Sequence, residues 1–498
     1  MKKKSFLALL FVFVLKVNSQ QKGIYNNLKG LDTEIESLMK AYKTVGLTVS
    51  IAKNHKVIYA KSFGYSDLKN KVKVNANTLF PIGSVTKQFT SALIGIYQGK
   101  GKLSVYDKPK KHISYLQFNS NEMNNLITIE DLLAHRSGIG NVDGTHVFFP
   151  TKSIKAHIQR VQYLTPNSQV REKFDYSNMG YAILGAIGET ITGKKWEKNL
   201  SDEIFKPLEM NRSNTNLRDL ENARNVSLGY SVNRKGKIVK VLYENQFESI
   251  ASGAINSTLN DMTNWMLMLL NKGKYKGTQI IPEKFLEESF SEHNIIQGSF
   301  SFKKKYNLLN DAYGYGWFTH NYKNLYRVNH EGNVSGFTSS ITLYPYKELG
   351  IVILTNQGSA NLLTKAITDI ITNRILNLKR KRWDEYTVNY GIESDVFSER
   401  TTLKRNQSYS KYVGKYTNKG YGTLEITESS DNKLQVIFPA LKMGLKSEKN
   451  DVFNSYRIVE THQNTPSFNF KFIESDKGKI LELVINFQQE PVIFKKEQ

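Results

Sequence analysis

The sequence predicts an α+β fold followed by a small all-β unit, and three observations carry the prediction. Two β-rich runs near the start, GLTVSIAK and KVIYAKSFGYSD, flank Asn54-His55 as the arms of a hairpin. Strand signals then fade until Phe337–Tyr344 and Gly350–Thr355, with helical spacing in between, so one sheet is assembled from both ends of a domain around inserted helices. From about Tyr409 onward the alternating runs TLEITE, KLQVIF, FNFKFI and LELVINF are separated by the turn formers DNK and DKGK, the pattern of a small antiparallel barrel or sandwich.

In chain order, the first 19 residues combine three lysines, an apolar run from Phe6 to Leu15, and Val17 and Ser19 placed like a cleavage site, which reads as a signal peptide. The run falls short of the roughly 20 apolar residues a membrane span needs, and no later run is apolar enough to span. The mature protein is therefore expected to be periplasmic or secreted. Helical spacing predicts elements from Ser84 to about Tyr97, Thr128 to Arg136, Asn178 to Thr192, Asp261 to Asn271, and Leu362 to Leu378. In the first of these, Val85, Phe89, Ala92, Leu93 and Ile96 form an apolar stripe that leaves Ser84, Lys87 and Ser91 on another face, and Gly99 and Gly101 stop it. Thr128 and Asp131 form a capping box, and Gly138 follows as a stop. The expected organisation is a signal peptide over 1–19, a main domain over 20–380, a linker over 381–408 and a β unit over 409–498.

Charge and composition remove several function classes. The full chain carries +24, and loss of Lys2, Lys3, Lys4 and Lys16 with the signal peptide leaves 24 − 4 = +20. The lysines are dispersed, and the one dense cluster, Lys379 to Arg382, sits at the expected domain junction, so the charge reads as a solvated surface suited to an anionic cell envelope and not as a nucleic-acid footprint. With no cysteine in the chain, disulfides, zinc-thiolate sites and a cysteine nucleophile are excluded.

Three short stretches carry chemistry. PIGSVTKQFTS places Ser84 three residues before Lys87, one helical turn apart. Serine is a poor nucleophile until a neighbour takes its proton, and a lysine whose charge is disfavoured by burial can be that neighbour; taken alone, the pair also reads as a capping serine and a solvated lysine. Phe174 to Asn178 presents the Tyr176 phenol and the Asn178 carboxamide at a loop-to-helix junction, where Asn178 also serves as a cap. His330-Glu331-Gly332-Asn333 leads into a buried strand, where Gly332 would let substrate lie along the strand edge and the next backbone N–H could face an oxyanion. By itself this is also an ordinary glycine turn.

Together, S-x-x-K, Y-x-N and H-x-G in that order resemble the serine β-lactamase and penicillin-binding protein superfamily. The similarity is to its class C-like, peptidase S12-type branch of D,D-carboxypeptidases, D-aminopeptidases and esterases. TIEDLLAHRSGIG, KPLEMNRSNT, ASGAINSTLNDMTNW and YGYGWF extend it over about Leu31 to Leu378. The resemblance implies a β-lactamase/transpeptidase-like α+β domain with a helical subdomain, and a serine hydrolase needing neither metal nor organic cofactor. It implies Ser84 as nucleophile, Lys87 and Tyr176 as proton carriers, and the N–H groups of Ser84 and Asn333 as the oxyanion hole. Asn178, His330 and Gly332 become substrate contacts, and the partner is a small-molecule or peptide acyl donor, cell-wall fragments among the candidates. Where penicillin-recognising members carry Lys-Thr-Gly, this chain has His-Glu-Gly; a histidine near its ordinary pKa is mostly neutral at pH 7 and Glu331 adds negative charge beside it. Peptidase, carboxypeptidase and esterase activity, β-lactam binding, and a catalytically silent sensor or binding protein of the envelope stay open. The stretch from Tyr412 to Tyr416 and the strands after it resemble the lipocalin-like domain appended to secreted members.

Overall fold

The computed structural model describes residues 26–140, 142, 144–151, 153–233, 236–243, 250–298, 311–385, 409–430, 433–449, 451–457, 467–487 and 491–497. The expected signal peptide and nearly all of the expected linker lie outside these residues.

Alternation of apolar side chains along strands from both ends of the first domain builds one nine-stranded sheet. Its strands are β1 (Gly46–Lys53), β2 (Lys56–Asp67), β3 (Val72–Lys73), β4 (Asn294–Ile295), β5 (Asp311–Tyr313), β6 (Phe318–Tyr322), β7 (Leu325–Val334), β8 (Phe337–Tyr344) and β9 (Leu349–Thr355). The spatial order is β4-β5-β6-β7-β8-β9-β1-β2-β3, so the N-terminal hairpin pairs with the last strand, Val49 opposite Ile353. Asn54 and His55 turn that hairpin with positive φ, as a tight connection requires.

Both faces of the sheet are covered. On one, Leu47, Val49, Ile351 and Ile353 pack under helices α1 (Leu31–Tyr42) and α7 (Asn361–Ile375). On the other, Val352, Leu354 and Ile341 join the larger core that contains α2 (Thr86–Gly99), α4 (Asn178–Thr192) and α6 (Leu259–Leu270). The short helix α3 (Ile129–Leu133) carries both bonds of its Thr128/Asp131 capping box, and it ends before Arg136 because His135 takes φ +55. Helix α2 departs from the expected amphipathic stripe. Every residue from Thr86 to Tyr97 is buried, Lys87 and Ser91 included. Several of its polar atoms find partners there: Thr86 Oγ1 accepts from Ile255 N–H, Gln88 Oε1 from Trp265 Nε1–H, and Thr90 Oγ1 from Trp196 Nε1–H.

The C-terminal unit is a closed antiparallel barrel of β10 (Gly414–Asn418), β11 (Gly422–Glu428), β12 (Leu434–Ile437), β13 (Lys442–Lys449), β14 (Val452–Arg457), β15 (Asn469–Glu474), β16 (Ile480–Ile485) and β17 (Val492–Lys496). Period-two alternation sends Tyr416, Leu424, Ile426, Val436, Phe470, Leu483 and Phe494 inward, all at most 1% exposed. The segment just before Ile154, which carries no chemical signal in the sequence, supplies Phe148 and Phe149. Phe148 lies against Phe438, Phe468 and Phe487, Phe149 against Tyr421 and Phe494, and Ala440 N–H donates to the Phe148 carbonyl.

Candidate active site

A 3₁₀ turn, Gly83–Val85, sets Ser84 at the head of α2, and it is wedged against β7. The wedge depends on two glycines. Gly83 has φ +51, and a Cβ there would stand 2.9 Å from the Asn333 nitrogen. A Cβ on Gly332 would stand 1.9 Å from the Ile82 carbonyl oxygen, which also accepts from Ser339 Oγ at 2.7 Å. Gly332 thus makes room for the turn that carries Ser84. The β6 ladder ends at Phe318 opposite Asn329, so among the described residues the stretch of β7 from His330 onward has a ladder partner only in β8.

Lys87 is 0% exposed, and its Nζ donates to three acceptors: Ser84 Oγ at 3.2 Å, Asn178 Oδ1 at 2.7 Å and the Ser252 carbonyl at 3.0 Å. The Tyr176 ring centroid lies 4.6 Å from the same Nζ. An ammonium has three N–H bonds, so this set holds it in one orientation, with the π face of Tyr176 adding attraction. The cap of α4 is Ser177, whose side chain accepts from Gly180 N–H, which leaves the Asn178 carboxamide to reach Lys87. Ser252 sits on the short helix α5 (Ile250–Gly253), within a passage that had signalled only family likeness.

Behind Tyr176 lies His135, 0% exposed, its ring 4.4 Å from the tyrosine ring and 4.7 Å from that of Tyr313. Ser177 N–H donates to His135 Nδ1 at 3.1 Å, which places the proton on Nε2. That Nε2 has no oxygen or nitrogen partner among the described residues and is surrounded by aromatic rings. Burial first, then the Lys87 charge and His330, push its pKa well below the usual value, so it is neutral. The loop is held by Asp131, which takes Arg136 Nε at 2.7 Å and Arg171 NH2 at 2.9 Å. Burial alone would raise that carboxyl; the bonds from Arg171, the Thr128 backbone and Arg136 hold it below the ordinary range.

His330 is neutral, as expected from the sequence, but for a different reason: burial. It is 1% exposed, Nδ1 faces the Glu331 carbonyl at 2.7 Å and Nε2 meets the Tyr313 hydroxyl at 2.9 Å. A carbonyl only accepts, so Nδ1 carries the proton, Nε2 accepts from the phenol, and both nitrogens are used inside the protein. Burial and then the Lys87 charge lower its pKa to about 3. Glu331 points to the opposite face of the sheet, where Asn361 Nδ2 and Thr364 Oγ1 donate to it and burial raises its pKa. The negative charge expected beside the site is therefore directed away from it. Among the described residues no cluster of His, Asp and Glu side chains is placed to hold a metal ion.

A family model described as Beta-lactamase matches residues 31–370, and one described as a domain of unknown function (DUF3471) matches 399–496. Protein flp of Staphylococcus aureus (strain NCTC 8325 / PS 47) is 30% identical over 358 residues, which span 70% of this chain and 67% of that protein. Unguisins hydrolase ungD of Aspergillus violaceofuscus is 23% identical over 453 residues, 81% of this chain and 77% of that one. Among solved structures, the octameric penicillin-binding protein homologue from Pyrococcus abyssi superposes with a TM-score of 0.61 at 22% identity over 94% of this chain and 99% of that chain. The penicillin binding protein from Bacillus halodurans does so with 0.56 at 20% identity over 67% and 98%. Both show the same fold.

Proposed function

The chain belongs to the beta-lactamase family and is a serine hydrolase, and from that premise we propose that Ser84 forms an acyl-enzyme with a peptide, amide or ester donor and that water then releases the acyl group. The observation that carries this reading is the buried chain of bonds from Ser84 Oγ through Lys87 Nζ to Asn178 Oδ1 and the Ser252 carbonyl. Ser84 Oγ attacks the acyl carbonyl carbon as its hydroxyl proton passes to Lys87, which enters this step as the neutral amine, with Tyr176 beside the pair. The N–H groups of Ser84 and Asn333 receive the oxyanion, where loss of one donor typically costs about 10²–10³ in rate. Collapse of the tetrahedral intermediate expels the leaving group with the Tyr176 hydroxyl proton; the phenolate so formed takes a proton from water, the hydroxide cleaves the acyl ester, and Ser84 regains its proton from Lys87. Asn178 contacts an amide on the acyl side.

His330 and Gly332 act in this scheme by shaping the wall and seating the turn. The segment 330–334 contains no lysine or arginine, so a substrate carboxylate finds no cation along this stretch of the strand. That favours esters and D-amino-acid amides or peptides over penicillins. We assign the hydrolase to 20–380 and the appended unit to 409–498, with 381–408 between them, and delivery through the signal peptide at 1–19 to the periplasm or exterior.

The test is intact-mass analysis of wild type and Ser84→Ala after brief exposure to a p-nitrophenyl ester, a D-amino-acid amide and a penicillin, with product measured alongside. An acyl adduct or turnover that vanishes in Ser84→Ala is the expected result. Absence of both for every donor would leave a binding protein.

A further inference from the structure

A cavity of about 240 Å³ is walled in part by residues that adjoin the site along the chain, while Gly83, Ser84 and Val85 themselves do not line it. Its near wall is made by neighbours of the site: Pro81, three residues before Ser84; Val334, directly after Asn333; and Gly253, directly after Ser252. Its far wall is apolar, from Leu217, Leu220, Tyr243 and Phe337. The Tyr243 ring stacks on Phe337 at 5.9 Å and 12°, and its hydroxyl donates to the Ser227 carbonyl at 2.8 Å, so the polar end of the phenol is tied off. The frame is fixed by the bridge between Phe80–Pro81 and Asn256–Ser257 and by the Asn256–Asn214 side-chain bond at 2.8 Å. The one charged residue of the lining is Glu197.

The lining contains none of Tyr176, His135, Tyr313 or His330. All four cluster around Lys87 and α4. Under the mechanism proposed above, on which this step rests, the leaving group must face Tyr176 to receive its proton. The part of the substrate that stays on Ser84 is then directed away from the Tyr176 phenol. We infer that the cavity receives the acyl group, and that the preferred donors carry an uncharged apolar acyl chain of medium length. A terminal carboxylate on that chain is rejected, because the wall offers it no cation and presents Glu197 instead.

The test is a series of p-nitrophenyl esters (acetate, butyrate, hexanoate) with the half-ester of glutaric acid, assayed on wild type, Ser84→Ala, Leu220→Trp and Tyr243→Ala, each checked for folding by circular dichroism. Burial of added methylenes predicts that kcat/KM rises about threefold or more for each. The glutarate half-ester should fall at least tenfold below butyrate. Leu220→Trp fills the cavity and should lower the hexanoate-to-acetate ratio at least tenfold; if it does not fold, Tyr243→Ala must move the preference toward longer chains. Ser84-dependent hydrolysis that is indifferent to chain length in wild type, or unmoved ratios in the folded variants, overturns the cavity assignment and leaves the hydrolase intact. No Ser84-dependent hydrolysis of any ester overturns the reading beneath it and the inference with it.

Discussion

Tyr176 is held by a histidine buried behind it. His135 fixes the backbone of Ser177 through its Nδ1 and packs its ring against the phenol, so under the proton-carrying role proposed for Tyr176, His135→Ala should lower kcat by about tenfold or more, the scale of a sub-ångström misplacement. His135→Asn, which keeps an acceptor near Ser177 N–H, should recover part of that loss in the same steady-state assay. His330 gives the opposite expectation for pH. With its pKa lowered to about 3, it stays neutral through the working range, so the limbs of the kcat/KM profile between pH 5 and 9 should coincide in wild type and His330→Gln. Its effect belongs to stability. The unfolded chain binds a proton at this histidine near pH 6.5 and the folded one near 3, so its contribution is complete above the unfolded value and is lost as pH falls between the two. Urea midpoints measured from pH 7 to pH 4 should fall more steeply in wild type than in His330→Gln. The bond between Ser84 and Lys87 was legible because their relation is local, one turn of helix. His135 was not, because its role runs through a backbone amide in another segment and its sequence context reads as helix and stop.

Secondary structure was legible where a period stands alone. The hairpin at Asn54-His55, strands β8 and β9, and the capping box of α3 are where alternation and turn chemistry put them. Helix α2 departs from its expected stripe because the face carrying Lys87 and Ser91 is buried too, with Lys87 held by acceptors far along the chain. The role of Gly332 was legible only in part, since a glycine signals a close approach without saying what approaches. Here it is the Ile82 carbonyl. Gly332→Ala must push β7 or the turn apart by more than an ångström, and an esterase assay should show a loss of about 10² or more. Trp265→Ala removes the ring stacked on Phe89 at 4.0 Å and should cost about 3–5 kcal/mol in urea unfolding.

For the whole molecule, the two-unit plan was visible in the change of strand spacing near Tyr409, whereas the contact between the units was not, since two adjacent phenylalanines in a loop carry no periodicity. Phe148 and Phe149 sit in the aromatic cluster of the barrel. Phe148→Ala with Phe149→Ala should split the thermal unfolding trace into two calorimetric transitions, because the units then lose their shared apolar contact. That contact also bears on modularity. A barrel whose wall is partly completed by side chains from another part of the polypeptide is an unfinished object when produced alone. An excised C-terminal fragment would carry Tyr421, Phe438 and Phe487 uncovered and should self-associate on a sizing column. By the same logic, swapping this barrel onto a relative requires transplanting the Phe148-Phe149 loop with it, so the inherited unit is the matched pair.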